Sequence, residues 1–112
     1  MSRAKGNRTR NKCVRSYAGK DWDVEIVEKT GRFVKIKDLY GLFDLIAIKG
    51  TQVLFIQVKT NKPATQQPYI DWAEAHCNES IRCICWTWYD HKGERIQEYM
   101  PDGTIKETDN RK

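Results

Sequence analysis

Asp44, Gln57 and Lys59 are the residues of this sequence whose types and spacing suit chemistry. Asp44 interrupts the apolar run FDLIAI (43–48), Gln57 lies within VLFIQV (53–58), and Lys59 follows directly. Both runs are apolar on both faces, as central, doubly covered strands are. A buried ionisable group in such a strand is costly unless it is paired or binds a metal. Side chains of a strand alternate faces, so Gln57 and Lys59 share one. The runs are joined around Lys49-Gly50, which predicts a hairpin. If Ile48 opposes Val53, Asp44 opposes Gln57. If the loop is two residues shorter, Asp44 opposes Phe55 and Gln57 is its diagonal neighbour. In either register the carboxylate, the amide and the ammonium converge on one side of the sheet. That grouping suits metal-assisted hydrolysis of a phosphodiester. Mg²⁺ or Mn²⁺ takes oxygen ligands, here Asp44, the Gln57 side-chain oxygen and the Val58 carbonyl. The metal lowers the pKa of a bound water and neutralises developing charge. Lys59 orients that water or stabilises the phosphorane.

The elements that must hold these residues can be read from periodicity. Residues 3–18 predict a helix, with Ala4, Asn7, Asn11, Val14 and Ala18 forming a weak inward stripe and Gly19 as its stop. Arg8, Lys12 and Arg15 share another face. Residues 22–28 (WDVEIVE) and 33–37 (FVKIK) read as two strands about a Lys29–Arg32 turn. The strands 43–48 and 53–58 follow. A second helix spans 66–78, with Pro68 in its first turn and a stripe of Tyr69, Trp72, Ala73, His76 and Cys77. On that stripe His76 is better read as a core or boundary side chain than as a ligand. Residues 81–89 and 95–100 are further strands. The order α-β-β-β-β-α-β-β predicts an α+β domain built on one mixed β-sheet flanked by helices. One domain is expected over 1–100, followed by a polar, flexible tail over 101–112.

The 112 residues are enough for one domain with one modest core. No apolar run reaches the length of a membrane span, and the basic start MSRAKGNRTR lacks the apolar stretch of a secretory signal. A cytoplasmic, intracellular protein with no membrane partner is expected. Cys13, Cys77, Cys83 and Cys85 match no zinc spacing and read as buried thiols in a reducing compartment. The net charge of +5 is unevenly spread. The first twenty residues carry seven basic side chains and no acidic one, whereas the remaining 92 carry thirteen basic and fifteen acidic. Arg3, Lys5, Arg8, Arg10, Lys12 and Arg15 are therefore the expected phosphate-binding set, against the plainer reading of a solvated basic helix face.

The run GLFDLIAI, with the triplet Gln57-Val58-Lys59 thirteen positions after Asp44, resembles the PD-(D/E)XK motif of restriction-endonuclease-like nucleases. The basic first helix with Lys5-Gly6 and the stretch FIQVKT are similar to archaeal and phage Holliday-junction resolvases, over roughly residues 3–89. The resemblance implies a restriction-endonuclease-like core and a Mg²⁺-dependent endonuclease acting on double-stranded or branched DNA as a homodimer. Two departures stand out. Gln57 replaces the second acidic residue, and Arg10 occupies the place of a glutamate on the first helix, with Asn11 beside it. Asn11 and Asp38 are the spare candidates for that missing oxygen, Asp38 reading slightly better as a helix or turn cap. The alternatives are a DNA-binding relative that does not cleave and, more distantly, a protein-interaction module. Trp86 and Trp88 share a strand face that would line a dimer surface or fill a core.

Overall fold

The computed structural model describes residues 3–27, 29–30, 35–36 and 40–112, with side chains described at 8–27 and 40–112. Its elements run α1 (Arg3–Ala18), β1 (Asp23–Ile26), β2 (Lys29–Thr30), β3 (Lys35–Ile36), β4 (Leu45–Lys49), β5 (Gln52–Thr60), α2 (Gln66–His76), β6 (Ile81–Tyr89), β7 (Gly93–Tyr99) and β8 (Ile105–Asp109). Six strands form one mixed sheet in the order β1-β4-β5-β6-β7-β8, as the α+β reading requires. Every neighbouring pair is antiparallel except β5–β6, which is parallel. A parallel pair needs a long crossover, and α2 supplies it. Among the described residues, no helix is long and apolar enough to cross a membrane.

The β4–β5 hairpin has the first of the two expected registers, with Ile48 opposite Val53 and Lys49 opposite Gln52. Gly50, at φ +60°, takes the left-handed conformation that this two-residue turn demands.

Alternation on β5 divides the core into two layers. Leu54, Ile56 and Val58 face α1, where Cys13, Tyr17, Leu45, Ala47, Ile84 and Trp86 close around them. Phe55 faces α2, with Phe43, Tyr69, Trp72, Ala73, Cys83, Cys85 and Tyr99. The thiols are free, and Cys13, Cys83 and Cys85 are buried. Trp86 fills the core, and its indole N–H donates to Glu94 at 2.7 Å.

Three expectations are corrected. First, Lys29 and Thr30, expected in the turn, form β2 against Lys35 and Ile36 of β3, Lys29 opposite Ile36. β1 pairs with β4, Asp23 opposite Ile48. Val24 and Ile26 pack against the α1 layer. Second, Thr9, Cys13 and Tyr17 form the inward stripe of α1 and Asn11 does not, while the side chain of Asn7 lies outside those described. Asn11 is exposed, because a two-residue offset is more than half a turn of helix, and the less polar Cys13 and Tyr17 take the buried side. Third, the polar segment 101–112 contains β8, which pairs along β7 from Tyr99–Ile105 to Arg95–Asp109. Asp102 builds the turn by accepting from the backbone N–H and hydroxyl of Thr104, at 2.9 and 2.6 Å. Ile105 then docks on the α2-side core, and the polar side chains suit an edge strand.

Candidate functional site

β5 carries Gln57 and Lys59, and Asp44 sits immediately before β4, where the ladder brings it alongside β5. Its backbone N–H donates to Ile56 O at 2.9 Å. Its carboxylate Oδ2 accepts from Val58 N at 3.1 Å and, with the Gln57 amide turned so that nitrogen faces its acceptor neighbours, from Nε2 at 3.0 Å. The same Gln57 amide donates to Leu42 O at 2.7 Å. From the α2 side, the Tyr69 hydroxyl also donates to Leu42 O, at 3.0 Å. Asp44 and Gln57, thirteen positions apart, are thus in direct contact within a network that runs from Tyr69 through Leu42 and Gln57 to Asp44 and Val58. Hydrogen bonds of this kind are what let a carboxylate sit half-buried in a sheet.

Lys59 lies two residues beyond Gln57 on the same face, opposite Thr87 of β6. Gln57 stands opposite Cys85, and Cys85 opposite Gln97. Burial pushes the Cys85 thiol up to about 12, a rise that Tyr99 and Lys59 oppose and Asp44 reinforces. Burial also raises the Tyr69 hydroxyl, with Cys85 and Asp44 adding to it. On the opposite layer, burial raises Cys13, helped by Glu94 and Asp44. Val58 points its N–H toward Asp44, and in a strand the carbonyl of a residue points to the same side as its N–H.

Basic residues of α1 occupy the other layer. A cleft of about 500 Å³ at the carboxyl ends of β5 and β6 is lined by Arg8, Thr9, Lys12, Trp88, Asp90 and His91. Lys12 Nζ lies 4.6 Å from the Trp88 ring centre, and Trp88 stacks on Trp86 at 6.0 Å. The Thr60 hydroxyl donates to Thr9 at 2.7 Å, pinning α1 to the end of β5. Asn61 and Asp90 bind each other through Asn61 Nδ2 at 3.0 Å and Asp90 N at 2.9 Å, tying the two strand ends together. Ligands of open sheets commonly bind outside such carboxyl ends.

Arg8 and Arg15 are exposed, and Arg10 is half-buried. The side chains of Arg3 and Lys5 lie outside those described, and Asp38 lies outside the described residues. Asn11 points to solvent from α1. His76 is exposed, although its ring centre is 4.8 Å from that of Trp72. Sequence reasoning missed Tyr69 and Leu42 as members of the network. The helical stripe placed Tyr69 in the core without naming its partner, and a backbone carbonyl leaves no trace in residue types. Among the described residues, no three His, Cys, Asp or Glu side chains gather where they would hold a metal. No family model matches this chain, and no curated protein matches it in sequence.

Proposed function

We propose that the protein is a Mg²⁺- or Mn²⁺-dependent endonuclease that hydrolyses DNA phosphodiester bonds, acting inside the cell as a homodimer on branched DNA. The observation that carries this reading is the contact between Asp44 and Gln57 on the strand face that also bears Lys59. The donor set fits a hard cation: one carboxylate, an amide that presents oxygen in one of its two orientations, and the Val58 carbonyl on the same side of β5. A bound cation would supply an activated water and offset phosphate charge. Asp44 holds the negative charge that draws the cation in. Lys59 is half-buried on the face of β5 that also bears Gln57. There it stabilises charge that builds on the phosphate. Arg8, Lys12 and Arg15 steer the polyanion toward the strand ends.

One observation favours a second reading, a DNA-binding protein that does not cleave. In the orientation that satisfies its neighbours, Gln57 turns nitrogen toward Asp44, so the amide serves the fold rather than a cation. Incubation with plasmid, linear and four-way-junction DNA, with and without Mg²⁺ or Mn²⁺, separates the two. Cleavage is expected only with metal, lost in Asp44→Asn while DNA binding persists, and sharply reduced in Lys59→Ala with metal binding retained. Cleavage that continues in EDTA or in Asp44→Asn removes the proposed site.

A further inference from the structure

The Gln57 amide has two orientations, and its surroundings make them unequal. One terminal atom of this side chain faces Leu42 O at 2.7 Å and Asp44 Oδ2 at 3.0 Å, both of them acceptors. Without a cation, nitrogen belongs there, because its two hydrogens satisfy both neighbours. Oxygen at the same position would repel both. The two terminal atoms are nearly the same size, so rotation about the last torsion exchanges them with little steric change. With oxygen inward, the site becomes a corner of three oxygens from Leu42, Asp44 and Gln57. Oxygens on adjacent positions of a six-coordinate Mg²⁺ lie ~3.0 Å apart, given bonds of ~2.1 Å. The two edges that meet at Gln57, 2.7 and 3.0 Å, are close to that spacing.

We infer that the Leu42 backbone carbonyl is a ligand of the cation site, and that cation entry turns the Gln57 amide over, from hydrogen-bond donor to oxygen ligand. The inference rests on the metal-dependent reading above and adds to it a ligand and a switch. Tyr69 belongs to the device, since its hydroxyl holds Leu42 O at 3.0 Å from the α2 side and stays there in both states. In the metal-free state Gln57 donates to Asp44 beside the Val58 N–H. A glutamate at position 57 could not do this, having no hydrogen to give when ionised. The neutral side chain thus exchanges some cation affinity for a metal-free site that is internally satisfied.

The test follows the amide itself, without DNA. In ¹⁵N-labelled protein, the side-chain NH₂ pair of Gln57 is assigned by its loss in Gln57→Glu and tracked through a Mg²⁺ titration. We expect the pair to shift and its protons to exchange faster with water as both acceptors are lost. It should saturate together with the backbone amide of Val58, whose N–H rests on Asp44 at 3.1 Å. Asp44→Asn should lose both responses. A Val58 response with an unmoved Gln57 pair overturns the inference, and so does a titration that moves neither signal. If the Gln57 pair responds but no DNA is cut, the nuclease reading fails and the amide switch stands. Thermal melting gives a second measurement. Gln57→Glu should melt lower than the parent in EDTA, be raised further by Mg²⁺, and bind the ion at least ~10-fold more tightly. Equal Mg²⁺ shifts in the two proteins would overturn the switch.

Discussion

The two faces of β5 teach different lessons about the same strand. Toward α1, Leu54 and Ile56 are buried among apolar side chains, and Thr60 ends the row by donating to the Thr9 hydroxyl. Toward α2, Phe55 joins an aromatic cluster, 4.9 Å from Trp72 between ring centres, but the next positions on that face are Gln57 and Lys59. One face is apolar along nearly its whole length, whereas the other turns polar halfway. Burial on the first stabilises without specifying chemistry. Polarity on the second has to be satisfied by a network that itself ends on a carboxylate.

The sharpest way to break this contrast is at Asp44. Asp44→Asn should lower DNA cleavage by ~10³-fold while leaving the melting temperature nearly unchanged, since an amide still accepts from Val58 N. A large loss of stability would move Asp44 from chemistry to architecture. The complementary change is on the apolar face. Ile56→Ala should cost about 2–5 kcal/mol in chemical denaturation, because Ile56 is fully buried. Gln57→Ala, one residue away on the other face, should cost only about 1 kcal/mol. Equal costs would erase the distinction between the faces.

The cationic side of the contrast is read by salt. Replacing Arg8, Lys12 and Arg15 with alanine should flatten the dependence of log DNA affinity on log salt by ~0.9 for each phosphate contact removed. An unchanged slope would place binding elsewhere.

The smallest effect concerns the thiols. Burial holds Cys85 up to about 12 and Cys77 up to about 11, above the ordinary value near 9. A raised folded-state value means that the folded protein keeps its proton longer than the unfolded chain does. The contribution is therefore complete below about pH 9 and is lost as pH climbs toward 11 and 12. The melting temperature should fall over that interval, and less so in Cys85→Ala. A parallel fall in both proteins would show that other groups dominate.

What the sequence made legible follows the same division. The common face of Asp44, Gln57 and Lys59 could be read because period-two alternation holds it in either register of β4 and β5. Which register is adopted could not, because both strands are apolar on both faces, and with Ile48 opposite Val53 the ladder brings Asp44 directly beside Gln57. The orientation of α1 could not be read, because a helix this rich in Arg, Lys and Asn has almost no apolar stripe. Its rotation is decided by the fit of Cys13 and Tyr17 against the sheet. β8 was hidden because an edge strand pairs on one side only and needs little hydrophobicity. The pairing of β1 with β4 is a tertiary choice that local pattern does not encode. Leu42 was invisible for a simpler reason, since it contributes a peptide oxygen.

The parallel pairing of β5 with β6 also sets an order of events. The β4–β5 hairpin closes over a two-residue turn, so the Asp44–Gln57 contact is built from nearby chain and can form within ~1–10 μs. The row through Lys59, Thr87 and Arg95 cannot exist until α2 has folded back and carried β6 alongside. Loop-closure entropy opposes that step before any contact repays it. The carboxylate–amide half of the site is thus an early, local product of the chain, and the lysine acquires its fixed surroundings last. In native-state hydrogen exchange, transient opening of β6 would release the neighbours of Lys59 while the Val58 amide, held by Asp44 in the hairpin, stays protected.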